Sequence, residues 1–226
     1  MLDLSSDKKI FEMMKKYLYT AVVGDIMDKM GMRHQFLPQN IRPLRDDMVI
    51  AGRAMTVLES DIENVDMSRF EGKSFGMMLE ALDDLKEDEI YFCSGSSMNY
   101  AVLGELMTTR IKYLGAAGAV VNGYLRDTNG ILALDIPVFS TGCYAQDQAP
   151  RGVVVDFRVP LDVGEVHIES GDILFGDIDG VLVIPRAHEK EILQAAYEKA
   201  TGEKTVGTAI KNGMSVVEAF AKYGIM

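Results

Sequence analysis

At 226 residues and 48% hydrophobic content, the chain can bury the core of one large domain without a disulfide or metal staple. Its formal charge of −11 argues against a nucleic-acid backbone as partner, because phosphate binding draws on clustered Lys and Arg. The two cysteines, Cys93 and Cys143, have no CxxC spacing, and neither a basic, apolar leader nor a membrane-length apolar run stands in the sequence. The expectation is therefore a cytoplasmic protein with reduced thiols and no membrane partner.

Ser6-Asp7 precede an amphipathic stretch from Ile10 to Leu18 and read as the cap of a first helix. A second helix carries Val22, Ile26, Met27 and Met30 on one face and ends at Gly31. His34 to Leu44, with Pro38 and Pro43, reads as a loop. Val49 to Leu58 reads as a strand bent at Gly52. Phe75 to Leu85 has helical spacing, and the acidic run Asp83, Asp84, Glu87, Asp88 and Glu89 reads as its solvated end.

Ile90 to Cys93 is a short apolar run leading into the polar loop Ser94-Gly95-Ser96-Ser97. Leu103, Leu106, Met107, Ile111 and Leu114 then mark one face of a helix that Gly115 and Gly118 close. Ala119 to Val121 forms the next strand, and Asn122-Gly123 begins a turn. Strand, helix and strand make a parallel unit with a right-handed crossover. The helix of such a unit starts at the edge where its second strand finishes. Glu105, in the first helical turn, and Arg126-Asp127, just past the second strand, should therefore meet at the sheet edge where open α/β folds bind ligands. First-turn amides at Leu106 and Met107 would be free there to receive a carboxylate.

Farther on, Ile136 to Phe139, Arg151 to Val159, Glu165 to Ile168, Ile173 to Phe175 and Val181 to Ile184 read as short strands of an antiparallel or mixed section. From Ala187 helical spacing returns, broken at Gly202, Gly207 and Gly213, which predicts two or three short helices. The organisation expected is a single domain over 1–226, with N-terminal helices in 1–46 and C-terminal helices in 187–226.

Several patterns carry no chemistry. Gly72-Lys73-Ser74 lacks the first glycine of a phosphate loop, since Met67 stands there. Asp177-x-Asp179-Gly180 reads as an acidic turn rather than a calcium loop, with His188 at the twelfth position. His34, His167 and His188 are scattered without ligand spacing, and no Gly-x-Ser-x-Gly elbow or nucleoside-binding glycine fingerprint is present.

Five stretches together carry a resemblance: residues 20–25, 51–57, 104–107, 118–127 and 170–185. Over roughly residues 17–226 the chain resembles the family of class II 4-hydroxy-4-methyl-2-oxoglutarate / 4-carboxy-4-hydroxy-2-oxoadipate aldolases and the regulator of ribonuclease activity A. The resemblance implies an α/β fold of the swivelling β/β/α type, with a central β core flanked by helices. It also implies a homotrimer or dimer of trimers with sites between subunits.

The implied chemistry is retro-aldol cleavage of small 2-oxo acids to pyruvate, with oxaloacetate decarboxylation as a companion activity. Asp127 would hold Mg²⁺ or Mn²⁺, Arg126 would bind substrate and stabilise the enolate, and Glu105 would take the place of the family's first acid. Gly104, Leu106 and Met107 would contact substrate, and Glu203 of a neighbouring subunit would add a further metal-site carboxylate. The chain departs from the pattern where Glu105 replaces Asp, Asn122 replaces Asp, and Gly130 stands where many relatives carry an acid. The rival is a non-catalytic, protein-binding regulator of ribonuclease activity, and retention of Arg126 and Asp127 favours the enzyme.

Overall fold

The computed structural model describes residues 3–224. Helix α1 (Asp7–Tyr17) is capped by the Ser6 hydroxyl, which accepts from the Lys9 amide. Helix α2 (Thr20–Lys29) follows directly. Its Thr20 amide and hydroxyl donate to the buried Asp177 carboxylate at 2.8 and 2.7 Å, so the acidic turn serves as a helix anchor.

The main sheet uses eight strands. They are β1 (Arg42–Pro43), β2 (Ile50–Asp61), β3 (Glu89–Ser94), β5 (Gly118–Val121), β7 (Val138–Ser140), β9 (Gly152–Phe157), β12 (Ile173–Asp177) and β13 (Gly180–Ile184). The order is β1-β7-β5-β3-β2-β12-β13, with β9 pairing the far half of β2. β2, β3, β5 and β7 run parallel; the remaining pairings are antiparallel. The segment before β1 nearly closes the ring, because the Leu37 amide donates to the Val181 carbonyl and the Val183 amide donates to that of Gln35.

Side chains alternate across this sheet as a two-residue period requires. Ile90 and Phe92 of β3, Val120 of β5, Leu174 of β12 and Val181 and Val183 of β13 point into the ring. A hairpin of β10 (Leu161–Val163) and β11 (Val166–Ile168) packs with them. Outward-facing Tyr91, Cys93, Ala119 and Val121 meet helices α3 (Met78–Asp84), α4 (Glu105–Tyr113) and α5 (Thr128–Ala133). On the other outer face, Ile173, Phe175, Leu182 and Ile184 are covered by α1, α2 and α6 (Glu189–Lys211), and α7 (Val216–Tyr223) closes the described chain. The mixed α/β, single-domain reading with helices around a central β core is therefore correct.

Four local expectations are corrected. The C-terminal segment is one 23-residue helix that runs through Gly202 and Gly207, followed by α7. A glycine inside a helix costs about 1 kcal/mol, and burial of Ile192, Leu193, Ala196, Ala200 and Val206 outweighs two of them. The predicted loop from His34 to Leu44 contains the two-residue strand β1. Leu103 ends a strand instead of starting the helix, and Leu106 is 85% exposed rather than turned to the core. The helix from Phe75 is shorter than its pattern, spanning Met78–Asp84.

Candidate functional site

A second, small sheet sits on the edge of the first: β4 (Ala101–Leu103), β6 (Tyr124–Leu125) and β8 (Gly142–Cys143), all parallel. β4 feeds α4 through Gly104, and β6 feeds α5 through Arg126 and Asp127. The Arg126 amide donates to the Leu103 carbonyl at 3.0 Å, which locks the two exits side by side. Glu105 and Arg126-Asp127 thus come together, but at the ends of β4 and β6 rather than of the strands at Ile90–Cys93 and Ala119–Val121 on which the crossover expectation rested.

Asp127 caps α5 from the left-handed region, at φ 59° and ψ 34°. A non-glycine residue held there is strained, and such strain gathers where a side chain must be aimed. Its Oδ2 accepts from the Glu105 amide at 3.4 Å and lies so near Gly104 that a Cβ there would come within 2.8 Å. Gly104 is thus the gap through which the Asp127 carboxylate reaches the start of α4. The Arg126 guanidinium lies 3.7 Å from that carboxylate through Nε and 3.0 Å from Asp147 through Nη1. Leu106 and Met107 are first-turn residues of α4, so their amides have no intrahelical acceptor.

The Glu105 carboxylate takes a different direction from its amide. A Cβ on Gly130 would fall 2.1 Å from Glu105 Oε2, so the acid rests against the bare backbone of α5. Two of the departures from the family pattern, Glu105 and Gly130, are therefore in direct contact. The third, Asn122, donates to the Ser94 hydroxyl at 3.1 Å.

Arg126, Asp127, Gly104, Leu106 and Met107 line one cleft of about 480 Å³. Asp147 and Gln148 line it too, and sequence reasoning missed both because their loop has no periodicity. Gln148 is buried, and its Nε2 donates at 2.7 Å to the Glu59 carboxylate in the core beneath. Glu59 shares the period-two face of β2 with Met55 and Val57 and so points into the same core. Burial, aided by nearby Asp61, pushes Glu59 up to about 8 despite that hydrogen bond.

Glu203 lies elsewhere in the subunit. It accepts from the Tyr19 hydroxyl and pairs with Lys199 at 2.5 Å, and burial raises its pKa. Among the described residues no cluster of three or more His, Cys, Asp or Glu is placed to hold a metal. The half-exposed Asp127 carboxylate is the kind of donor that Mg²⁺ or Mn²⁺ accepts, since these ions keep several waters and need few protein ligands. No described helix is long and apolar enough to cross a membrane.

A nearly closed mixed sheet flanked by helices, with an Arg-Asp pair beside the first turn of α4 in an edge cleft, defines a mixed α/β protein of a recognisable family. The chain belongs to the RraA-like family: the family model described as Aldolase/RraA matches residues 20–183. It is 29% identical over 201 residues to a Halalkalibacterium halodurans protein named "Putative 4-hydroxy-4-methyl-2-oxoglutarate aldolase", covering 89% of each chain. A solved structure titled "Crystal structure of novel cellulases from microbes associated with the gut ecosystem" superposes with TM-score 0.79 at 31% identity, over 90% of this chain and 89% of that one. Streptomyces coelicolor RraAS2, described as an unusual member of the RNase ES inhibitor RraA family, shares the fold with TM-score 0.76 at 21% identity, over 88% of this chain and 96% of its own.

Proposed function

We propose that this protein is a divalent-metal-dependent lyase that cleaves 4-hydroxy-4-methyl-2-oxoglutarate-like 2-oxo acids to pyruvate, with oxaloacetate decarboxylation at the same site. The observation that carries the reading is the meeting of Arg126, Asp127 and the α4 amides in one cleft. The first-turn amides of Leu106 and Met107 bind the substrate carboxylate. Arg126 faces the C2 oxygen, where negative charge gathers as the C3–C4 bond breaks and its electrons move into the pyruvate enolate. The C4 hydroxyl proton leaves as C4 becomes a carbonyl, and C3 later takes a proton to give pyruvate. Glu105, whose carboxylate rests on Gly130 beside the cleft, would orient the water that carries these protons.

Asp127 would hold Mg²⁺ or Mn²⁺, and the cation would supply Lewis-acid polarisation of the 2-oxo group. We further propose a cytoplasmic homotrimer or dimer of trimers, in which Glu203 of a neighbouring subunit adds a carboxylate near Asp127. Cellulose hydrolysis fits the cleft poorly, because it calls for two carboxylates facing each other across the bond; here the lining carboxylates Asp83, Asp127 and Asp147 each sit beside Arg110 or Arg126, and Glu105 is turned onto Gly130. The test is pyruvate release from both substrates with Mg²⁺ or chelator. A ribonuclease regulator with no such turnover would be the rival.

A further inference from the structure

The cleft that holds Arg126 and Asp127 is far larger than pyruvate requires, and its character changes along its length. One end carries Arg126, Asp127 and the α4 amides. The other is walled by Phe75, Met78, Leu79 and Leu82 from the α3 side and by Leu103 and Met107 opposite. Met78, Leu82 and Leu103 are buried members of the core, so this wall is fixed; Leu79 is 58% exposed at its rim.

Charge in the cleft is already committed. Its lining has two guanidinium groups, Arg110 and Arg126, against three carboxylates, Asp83, Asp127 and Asp147, a balance of 2 − 3 = −1. Arg110 donates to Asp83 at 2.8 Å, and Arg126 pairs with Asp147 at 3.0 Å. A pyruvyl end bound at Arg126 therefore leaves a second carboxylate only Arg110 to face, a guanidinium it would have to share with Asp83 among apolar walls. Carboxylates taken from water without a partner bind poorly, whereas alkyl groups gain by the same transfer. A neighbouring Glu203 would add negative charge, not relieve it.

We propose that this cleft prefers 4-hydroxy-2-oxo acids whose C4 arm is apolar, an alkyl or aryl group released as the aldehyde or ketone, over dicarboxylic acids of the 4-hydroxy-4-methyl-2-oxoglutarate type. The proposal rests on the pyruvate-lyase reading of the same cleft and names its substrate class. The reaction balances as before: the C3–C4 bond breaks, the C4 hydroxyl becomes the carbonyl of the apolar product, and pyruvate carries the other half. Each buried methylene is worth about fourfold in kcat/KM, so an isobutyl or phenyl arm should exceed a methyl arm by about 50-fold.

The test has a kinetic and a binding arm. Pyruvate release by the Mg²⁺-loaded protein is compared for 4-hydroxy-2-oxo acids with methyl, propyl, isobutyl and phenyl arms and for 4-hydroxy-4-methyl-2-oxoglutarate. Calorimetric titration compares 2-oxooctanoate with 2-oxoglutarate, neither of which can be cleaved. The proposal expects rising kcat/KM with arm size, the dicarboxylate at least tenfold below the isobutyl substrate, and tighter binding of 2-oxooctanoate with a negative heat-capacity change. Leu79→Arg, at the exposed rim, should shrink the preference at least tenfold by giving a second carboxylate a cation. Equal or better handling of the dicarboxylates in either arm overturns it.

Oxaloacetate decarboxylation and exchange of the pyruvate methyl protons separate the two claims. If both are present while dicarboxylates are preferred, the substrate class alone fails. If both are absent, the lyase reading fails, and the titration still decides whether the cleft selects apolar arms.

Discussion

Replacing Glu59 by Gln should make the protein's stability less sensitive to alkali. Glu59 is 1% exposed, and burial moves its pKa from the ordinary 4.5 to about 8. Between those values the folded chain keeps the proton while the unfolded chain releases it, so wild-type stability falls as pH rises. The loss begins near pH 4.5 and is complete above pH 8. At about 1.36 kcal/mol per pH unit it amounts to something on the order of 5 kcal/mol.

Glu59→Gln cannot ionise, yet its amide oxygen still accepts from the Gln148 Nε2 that now lies 2.7 Å from the acid. Any cost of the extra amide donors is the same at every pH. The gap in stability, variant minus wild type, should therefore widen in the variant's favour by several kcal/mol from pH 5 to pH 8.5. For a chain of this size that is roughly 10–15 °C in Tm. Thermal unfolding of both proteins at the two pH values measures it. A gap that stays constant, or narrows with rising pH, would refute the assignment of Glu59 as a buried, proton-bearing acid.

Other substitutions probe other parts. Arg126→Ala should lower kcat on the order of 100-fold or more, because the guanidinium serves charge that develops in the reaction; unchanged kcat with a higher KM would contradict that role. Gly130→Ala should dislodge the Glu105 carboxylate that a Cβ would meet at 2.1 Å, lowering kcat by roughly 10-fold while a Glu105→Ala background shows no further loss. Additive losses in that cycle would mean the contact is incidental. Arg53→Met should cost about 3–5 kcal/mol in denaturant unfolding, since it strips Glu189, 9% exposed, and Asp7 of their shared guanidinium. A change below about 1 kcal/mol would show that water reaches Glu189.

What the sequence made legible was whatever obeys a strong local period or a topological rule. The apolar runs at Ile90–Cys93 and Ala119–Val121, with the helical face at Met107 and Ile111, led to a parallel unit and to Glu105 and Arg126-Asp127 at one edge. The strands of the small sheet, two or three residues each, are too short to show a period. Asp147 and Gln148 reach the cleft on an irregular loop, and Glu59 looks in sequence like any charged strand residue. Its inward aim follows the face it shares with Met55 and Val57, which shows only once β2 is seen to run past Leu58 to Asp61. Gly202 and Gly207 read as breaks because propensity is local, whereas the contacts that hold α6 together are tertiary. The seating of Glu105 on Gly130 joins residues on two helices, and no single-helix pattern records it.

The account stands most directly on Asp127. Pyruvate release from oxaloacetate and from 4-hydroxy-4-methyl-2-oxoglutarate should be measured for wild type and Asp127→Ala, each with Mg²⁺ and with chelator. The expected result is metal-dependent release by the wild type, even where the dicarboxylate is the poorer substrate, and its loss in the variant. Absence of metal-dependent release from both substrates, or a variant as active as wild type, would contradict the proposed function.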